Sequence, residues 1–173
     1  MKIFATGNQH FGRKGAIKKF NRPFDDIISM NHHIIDVWNS VVSEEDHVYV
    51  LGNFAWDPIT ADEVIGQLKG TIHLIKGDFD NATEDVSDLH EYKLNVCEFD
   101  IHVDDNNKLC LSHWPLSEWK NKKKGYHLVT AFPGAKYKSN HKNNIINVGC
   151  DYWSFKPQEL KKVKDFFTDI DSK

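Results

Sequence analysis

The sequence predicts an α/β protein, a four-layer α/β/β/α sandwich built from two mixed sheets. Three observations predict it. In the first half, the apolar and β-branched runs KIFAT, HVYVL and TIHLIK are each followed directly by a glycine and are separated by helical segments. That alternation marks a mainly parallel sheet with right-handed crossovers. In the second half, strand-like segments flank the turn DDNN, a hairpin signal. A parallel half and a hairpin-rich half are reconciled by two sheets packed face to face with helices outside.

Each element follows from local pattern. Lys2 to Thr6 reads as a strand that delivers Asn8, Gln9 and His10 into a loop at its carboxyl end, where α/β folds collect ligand groups. A helix opens near Asp25, just after Pro23, and buries Ile27, Ile28, Ile34, Ile35, Trp38 and Val41 or Val42 at spacings near 3, 4 and 7. His32 and His33 lie on that helix about 100° apart, a poor arrangement for chelating one ion, and are assigned to surface or packing roles. His47 to Leu51 is a second strand and delivers Asn53. Thr60 to Lys69 is a helix with Thr60 as cap and Val64, Ile65 and Leu68 inward. Thr71 to Lys76 is a third strand leading to Gly77, Asp78, Phe79 and Asp80.

Tyr92 to Val103 and Lys108 to Ser112 form the antiparallel hairpin, and His113 follows the second of these as Asn53 follows HVYVL, which sends it toward the first-half loops. Further strands are predicted at Tyr126 to Thr130 and Asn144 to Val148. PQELKKVKDFF is predicted as a closing helix with its proline in the first turn.

A chain of 173 residues is expected to form one domain, 1–173, which at this size hides about 70% of the surface its unfolded chain exposes. The formal net charge of −3 gives no global attraction to nucleic acid. Charge is nevertheless uneven, with an acidic middle from Asp78 to Asp105 and a basic stretch from Lys120 to Lys142. Two solvated faces account for this, and a polarised docking surface is the sharper alternative. The KNKKKG run beside Trp114, Trp119 and Tyr126 has the charge and rings of a single-strand binder, although such runs are more often solvated loops. Cys97, Cys110 and Cys150 are odd in number and widely spaced, which suggests neither a disulfide framework nor a zinc knuckle. With no run resembling a signal peptide or a membrane span, a reducing, cytoplasmic setting is expected. For a phage-encoded chain this would be the host cytoplasm.

The order HFG, RPF, a helix ending WNSVV, DHVYVLGNF, HLIKGDFD, LCLSHWPL and NVGCDYWSFKP resembles the calcineurin-like metallophosphoesterases, above all their small bacterial and phage members. The resemblance spans almost the whole chain in order and spacing. It implies a centre of two divalent ions held by an Asp-x-His pair, a Gly-Asp, a Gly-Asn-His-Asp/Glu, a lone histidine and a Gly-His-x-His.

Carried over by position, the first pair becomes Asn8 and His10, and the bridging aspartate becomes Asn53. The asparagine ligand becomes Asp78, the catalytic histidine becomes Phe79, and Asp80 stands at the acidic position. His113 keeps the lone histidine. Ala135 and Tyr137 align where the last two histidines would be, with Lys136 between them, and Arg13 replaces the second histidine of the opening motif.

Two divalent ions 3.5 Å apart repel by roughly 19 kcal/mol at an effective dielectric near 20, a cost that a bridging carboxylate normally offsets. An amide at position 53 brings no charge, and Phe79 cannot protonate a leaving group, a loss worth about 10² to 10⁴ in rate. The expected function is therefore a catalytically silent phosphoesterase-like protein that acts by binding or shape, with no cofactor. One alternative is a residual phosphoesterase with a single Mn²⁺, Mg²⁺, Ni²⁺ or Zn²⁺ held weakly by His10, Asp78, His113, Asn53 and Asn8. Another is metal-free binding of a phosphate-bearing ligand or nucleic acid through Arg13 and Lys136. The expected partner is a protein or a phosphate-bearing ligand and not a membrane. Trp56 and Trp114 follow site loops directly and are expected to wall the cleft or, if the cleft no longer takes substrate, to form part of a partner surface.

Overall fold

Ten strands and four α-helices form two five-stranded sheets in an α/β arrangement, seen in a computed structural model that describes residues 1–90, 93–97, 101–104, 106–132, 139–140, 144–163 and 165. The first half runs β1 (Ile3–Thr6), α1 (Lys14–Lys19), α2 (Ile27–Asn39), β2 (His47–Leu51), α3 (Pro58–Gln67), β3 (Thr71–Ile75), α4 (Asn81–Glu84) and β4 (Leu94–Val96). There follow β5 (Ile101–Asp104), β6 (Leu109–Ser112), β7 (His127–Thr130), β8 (Ser139–Asn140), β9 (Ile145–Asn147) and β10 (Gln158–Glu159). The first sheet has the order β10-β1-β2-β3-β4, the second β5-β6-β7-β9-β8. Both are mixed: β1 to β4 pair parallel with β10 antiparallel on the edge, while β6, β7 and β9 are parallel between the antiparallel β5 and β8.

Side-chain alternation divides the core. Phe4, Val48, Val50, Ile72 and Leu74 face Met30, Ile34, Ile35 and Trp38 of α2 and Ala61, Val64 and Ile65 of α3. The alternate residues Ala5, Leu51 and Ile75 meet Leu109, Leu111, Val129 and Ile146 of the second sheet, so the two sheets bury a shared apolar layer. Beyond the second sheet, Cys110, Leu128 and Ile145 are covered by Trp119, Tyr126 and Leu116 of an irregular segment with a short 3-10 turn at Lys122–Lys124.

Several expectations need correction. The strand predicted from Tyr92 to Val103 is two strands in different sheets: β4 extends the first sheet, and only β5 makes the hairpin with β6. The helix predicted from Thr60 begins at Pro58, because the Asp57 side chain accepts from Thr60 N at 2.9 Å and from its hydroxyl at 2.8 Å; Asp57 is the cap and Thr60 its partner. Ile28 is 65% exposed, and Met30 takes the inward position, since Asp26 caps α2 and sets its phase. The expected closing helix does not start at its proline: Gln158 and Glu159 pair with Ala5 and Phe4, and Leu160–Lys162 form a 3-10 turn. Most of its remainder, and the predicted Ala135, Lys136 and Tyr137, lie outside the described residues. Among the described residues no helix is long and apolar enough to cross a membrane.

Candidate functional site

The loops after β1, β2 and β3 and the segment after β6 meet at the carboxyl edge of the first sheet. Asn8, His10, Asn53 and His113 are each no more than 3% exposed there. The first loop lies along the second, with Asn8 N, His10 N and Phe11 N donating to the carbonyls of Gly52, Asn53 and Phe54. Asn8, His10 and Asn53 all take left-handed backbone conformations, with φ of 61°, 55° and 58°. Non-glycine residues adopt that region uncommonly, asparagine and histidine more readily than most, and it clusters at functional loops.

Arg22 holds the first loop in this shape. Its buried guanidinium donates to the carbonyls of Asn8 and Gln9 at 2.6 Å each and pairs with Asp151 through Nε at 2.8 Å and Nη2 at 3.0 Å. Sequence reasoning gave Arg22 no role. The available signal was its rarity, as one of two arginines in a lysine-rich chain.

The two asparagines at the expected aspartate positions bond to each other. Asn53 Nδ2 donates to Asn8 Oδ1 at 2.9 Å, Asn8 Nδ2 donates to the Ala131 carbonyl, and Asn53 Oδ1 accepts from Phe79 N at 3.3 Å. Both amide oxygens are thus committed to N–H donors. Asp80 is the inward carboxylate, fully buried, and accepts from Asn53 N at 2.7 Å, Phe54 N at 2.8 Å and Gly77 N at 2.6 Å. It ties the third loop to the second. Asp78, expected as the remaining anionic ligand, is exposed. Among the described residues no three His, Cys, Asp or Glu side chains come together as a metal-holding group.

His10 and His113, the two histidines expected at the site, differ in polarity. His113 Nδ1 lies 2.8 Å from the Leu51 carbonyl, which requires a proton on Nδ1 and leaves Nε2 as a lone pair. His10 Nδ1 lies 3.5 Å from Arg13 Nη1. A guanidinium has only donors, so it favours the tautomer in which His10 Nδ1 is the lone pair and Nε2 carries the proton. Neither Nε2 has a hydrogen-bond partner among the described residues. Burial, helped by the positive charges of Arg22, Arg13 and Lys19 and by His113, lowers the His10 pKa to about 3. His10 is therefore a neutral imidazole over the physiological range. Glycines make room for His113: a side chain at Gly77 would meet its ring and Asn53 Oδ1 at 3.0 Å, and one at Gly52 would meet Nδ1 at 2.5 Å.

Around these imidazoles the surface is aromatic. The Arg13 guanidinium sits 4.7 Å from the Trp56 ring and 4.6 Å from that of Phe79. Phe79 is tilted against His10 at 6.2 Å, and Trp114 meets His113 edge-on at 4.9 Å, with Phe132 5.8 Å from Trp114. Trp56 and Trp114 stand beside the site loops at 48% and 37% exposure. The basic run beside them is different: Trp119 and Tyr126 are buried, Trp119 Nε1 donates to the Tyr126 carbonyl, and Lys122 lies over the Trp119 ring at 4.6 Å. Two of the three rings proposed for stacking bases there belong to the core. Asn147, which sequence reasoning did not assign to the site, is buried behind it and accepts from Gly149 N at 2.8 Å, shaping the turn that carries Asp151 to Arg22.

No protein-family model matches the chain. An uncharacterized protein of Methanocaldococcus jannaschii, MJ1445, is 29% identical over 170 residues, covering 94% of this chain and 89% of that protein. In fold the chain is similar to AQ665 of Aquifex aeolicus, a protein of unknown function whose crystal structure aligns with a TM-score of 0.70 at 16% identity, over 95% of this chain and 98% of that one. At that identity the likeness is one of fold.

Proposed function

We propose that the chain is a four-layer, calcineurin-like metallophosphoesterase fold whose centre is catalytically silent and which acts by binding. The observation that carries this reading is the commitment of both amide oxygens, Asn8 Oδ1 and Asn53 Oδ1, to N–H donors. Where a two-metal centre needs anionic oxygens converging on the ions, this floor offers two neutral amides already bonded, two imidazoles and a buried Asp80 already accepting three backbone N–H groups. Arg13 and Arg22 add positive charge beside His10, the wrong sign for gathering cations. The residues present therefore do not fit a pair of divalent ions. Phe79, at the position of the general acid, offers a ring and no proton.

The test is hydrolysis of p-nitrophenyl phosphate and bis-p-nitrophenyl phosphate with Mn²⁺, Ni²⁺ and Mg²⁺ added in turn. The expected result is no turnover above the metal-only control. Metal-stimulated turnover that disappears in His10→Ala overturns the reading.

One observation favours a single-ion alternative: His113 Nε2 is a buried lone pair without a partner among the described residues. Elemental analysis of protein purified without chelator decides for transition metals. Stoichiometric Zn, Mn or Ni that is lost in His113→Ala would support one ion.

A further inference from the structure

We propose that the chain docks on a second copy of itself, head to tail, with the α3 face of one copy against the 114–124 segment of the next. The contact does not depend on whether the centre is silent, so its failure would leave that reading standing. The first observation is an apolar patch. Among the described residues seven large apolar side chains stand exposed, and four of them, Trp56, Ile59, Phe79 and Leu89, lie together. Trp56 packs on Phe79 with ring centroids 5.5 Å apart, and Ile59 follows in the first turn of α3. Asp62, three residues further and so on the same helix face, meets His90 Nε2 at 2.8 Å, which brings the neighbouring Leu89 alongside. Ile59 and Leu89 are 73% and 68% exposed. A cluster of this kind on a folded chain marks an interaction surface.

Charge says what covers it. From Asp57 to His90 the chain carries eight acids against two lysines, and Asp80 alone of those acids is buried. Lys76 is engaged by Glu84 at 2.7 Å, whereas Asp85 and Asp88 are exposed with no ion pair among the described residues. Such a flank repels nucleic acid and anionic lipid, and selects an apolar partner of positive charge. The chain carries that partner on its opposite outer layer. The segment after β6 opens with the exposed ring of Trp114 and crosses the outer face of the second sheet. There Lys122 pairs with Glu118 at 3.2 Å, while Lys120, Lys123 and Lys124 are exposed with no ion pair among the described residues. Trp119 is sunk in the core below, and Asn121 and Gly125 bracket the turn in left-handed conformations, so the lysines stand on a platform set before a partner arrives.

The two faces also read in the same order along the strands. Trp56 and Phe79 follow the carboxyl ends of β2 and β3, and the turn Ser87–His90 leads back to the start of β4. Trp114 follows the carboxyl end of β6, and the lysine turn leads back to the start of β7, where His127 N donates to the Lys108 carbonyl at 3.0 Å. Copies set side by side in one orientation therefore bring Trp114 to Trp56 and Phe79, and Lys123 and Lys124 to Asp85 and Asp88. Because the two faces lie on opposite layers, the contact is heterologous and repeats from copy to copy.

The experiment follows the full chain by sedimentation velocity across about 1 to 500 µM in low salt, the range in which modest charge-steered interfaces associate. Mass beyond a monomer should rise with concentration, and association should weaken about tenfold in about 0.5 M NaCl. Lys123→Glu with Lys124→Glu, and Asp85→Lys with Asp88→Lys, should each leave monomers. Their equimolar mixture should associate again, because each reversed face then meets its reversed counterpart. Ile59→Ser with Leu89→Ser should weaken association by at least about tenfold. All six side chains are exposed, and thermal melts check that the variants are folded. Wild type that stays monomeric throughout overturns the inference. Association that survives either charge reversal or the serine pair, or a mixture that stays monomeric, overturns it too, since another surface would then be responsible.

Discussion

The floor and the rim of the cleft are built on opposite principles. On the floor, Asn8, Asn53, Asp80 and Arg22 satisfy one another and the loop backbone, so that the polar groups act as internal fasteners. On the rim, Arg13, Trp56 and Phe79 pack among themselves and Trp114 packs on His113 and Phe132, while Trp56, Phe79 and Trp114 stay partly in solvent. Burial without water makes an unpaired polar group costly, which explains the closure of the floor. Among the described residues of these loops, Gln9 Oε1, His10 Nε2 and His113 Nε2 escape it. The lesson is that side chains gathered at the edge where strand ends meet can serve to hold that edge together.

The sharpest way to break this contrast is to remove a fastener. Arg22→Leu strands the carbonyls of Asn8 and Gln9 and leaves Asp151 without its partner, so urea denaturation should show a loss of about 3 to 5 kcal/mol. Arg22→Lys should recover only part of it, because an ammonium cannot reproduce the fork. A loss under 1 kcal/mol would mean the floor is not held this way.

Giving the floor carboxylates tests the same contrast from the other side. Asn8→Asp with Asn53→Asp replaces a donor–acceptor pair by two acceptors of like charge, and should cost about 2 kcal/mol in EDTA. Added Mn²⁺ should restore that stability in the double variant and leave the wild type unchanged, read as a shift in melting temperature.

His10 gives a graded effect. Its folded pKa of about 3 lies below the ordinary 6.5, so the unfolded chain binds the proton first. This group's contribution is therefore fully present above pH 6.5 and is lost as pH falls toward 3, at up to about 1.4 kcal/mol per pH unit. His10→Gln should flatten the fall measured between pH 6.5 and 5. An unchanged slope would show that His10 is not the group responsible.

The smallest effect belongs to the rim. Trp56→Ala should change stability by within about 0.5 kcal/mol, since the ring is half exposed and fastens nothing on the floor.

The parts legible in the sequence were those written locally. β1, β2 and β3 declared themselves by apolar runs ending at glycines, α2 by its periodicity, and the convergence of Asn8, His10, Asn53 and His113 by the rule that strand ends gather on one edge. What was not legible depends on partners distant in sequence. Nothing between Tyr92 and Val103 marks where the chain leaves one sheet for the other. Six-residue α1, KGAIKK, is too short and too polar to show a period. Gln158 and Glu159 read as helix until β1 offers them an edge. Arg22 and Asp80 act on backbone groups of other loops, a relation no spacing encodes. That Asn8 and Asn53 stand where the resemblance expects aspartate was visible, but that the amides would find each other was not.

The amides form a row with a direction. Phe79 N–H points to Asn53, Asn53 to Asn8, and Asn8 to Ala131, so a proton donor anchors one end and a carbonyl the other, and both amides must face the same way. Such aligned dipoles reinforce one another. The Ala131 carbonyl can only accept, so even with the Phe79 N–H drawn away the far end would keep both amides pointing as they do, and the polarity of the whole row is set by one backbone oxygen of the second sheet.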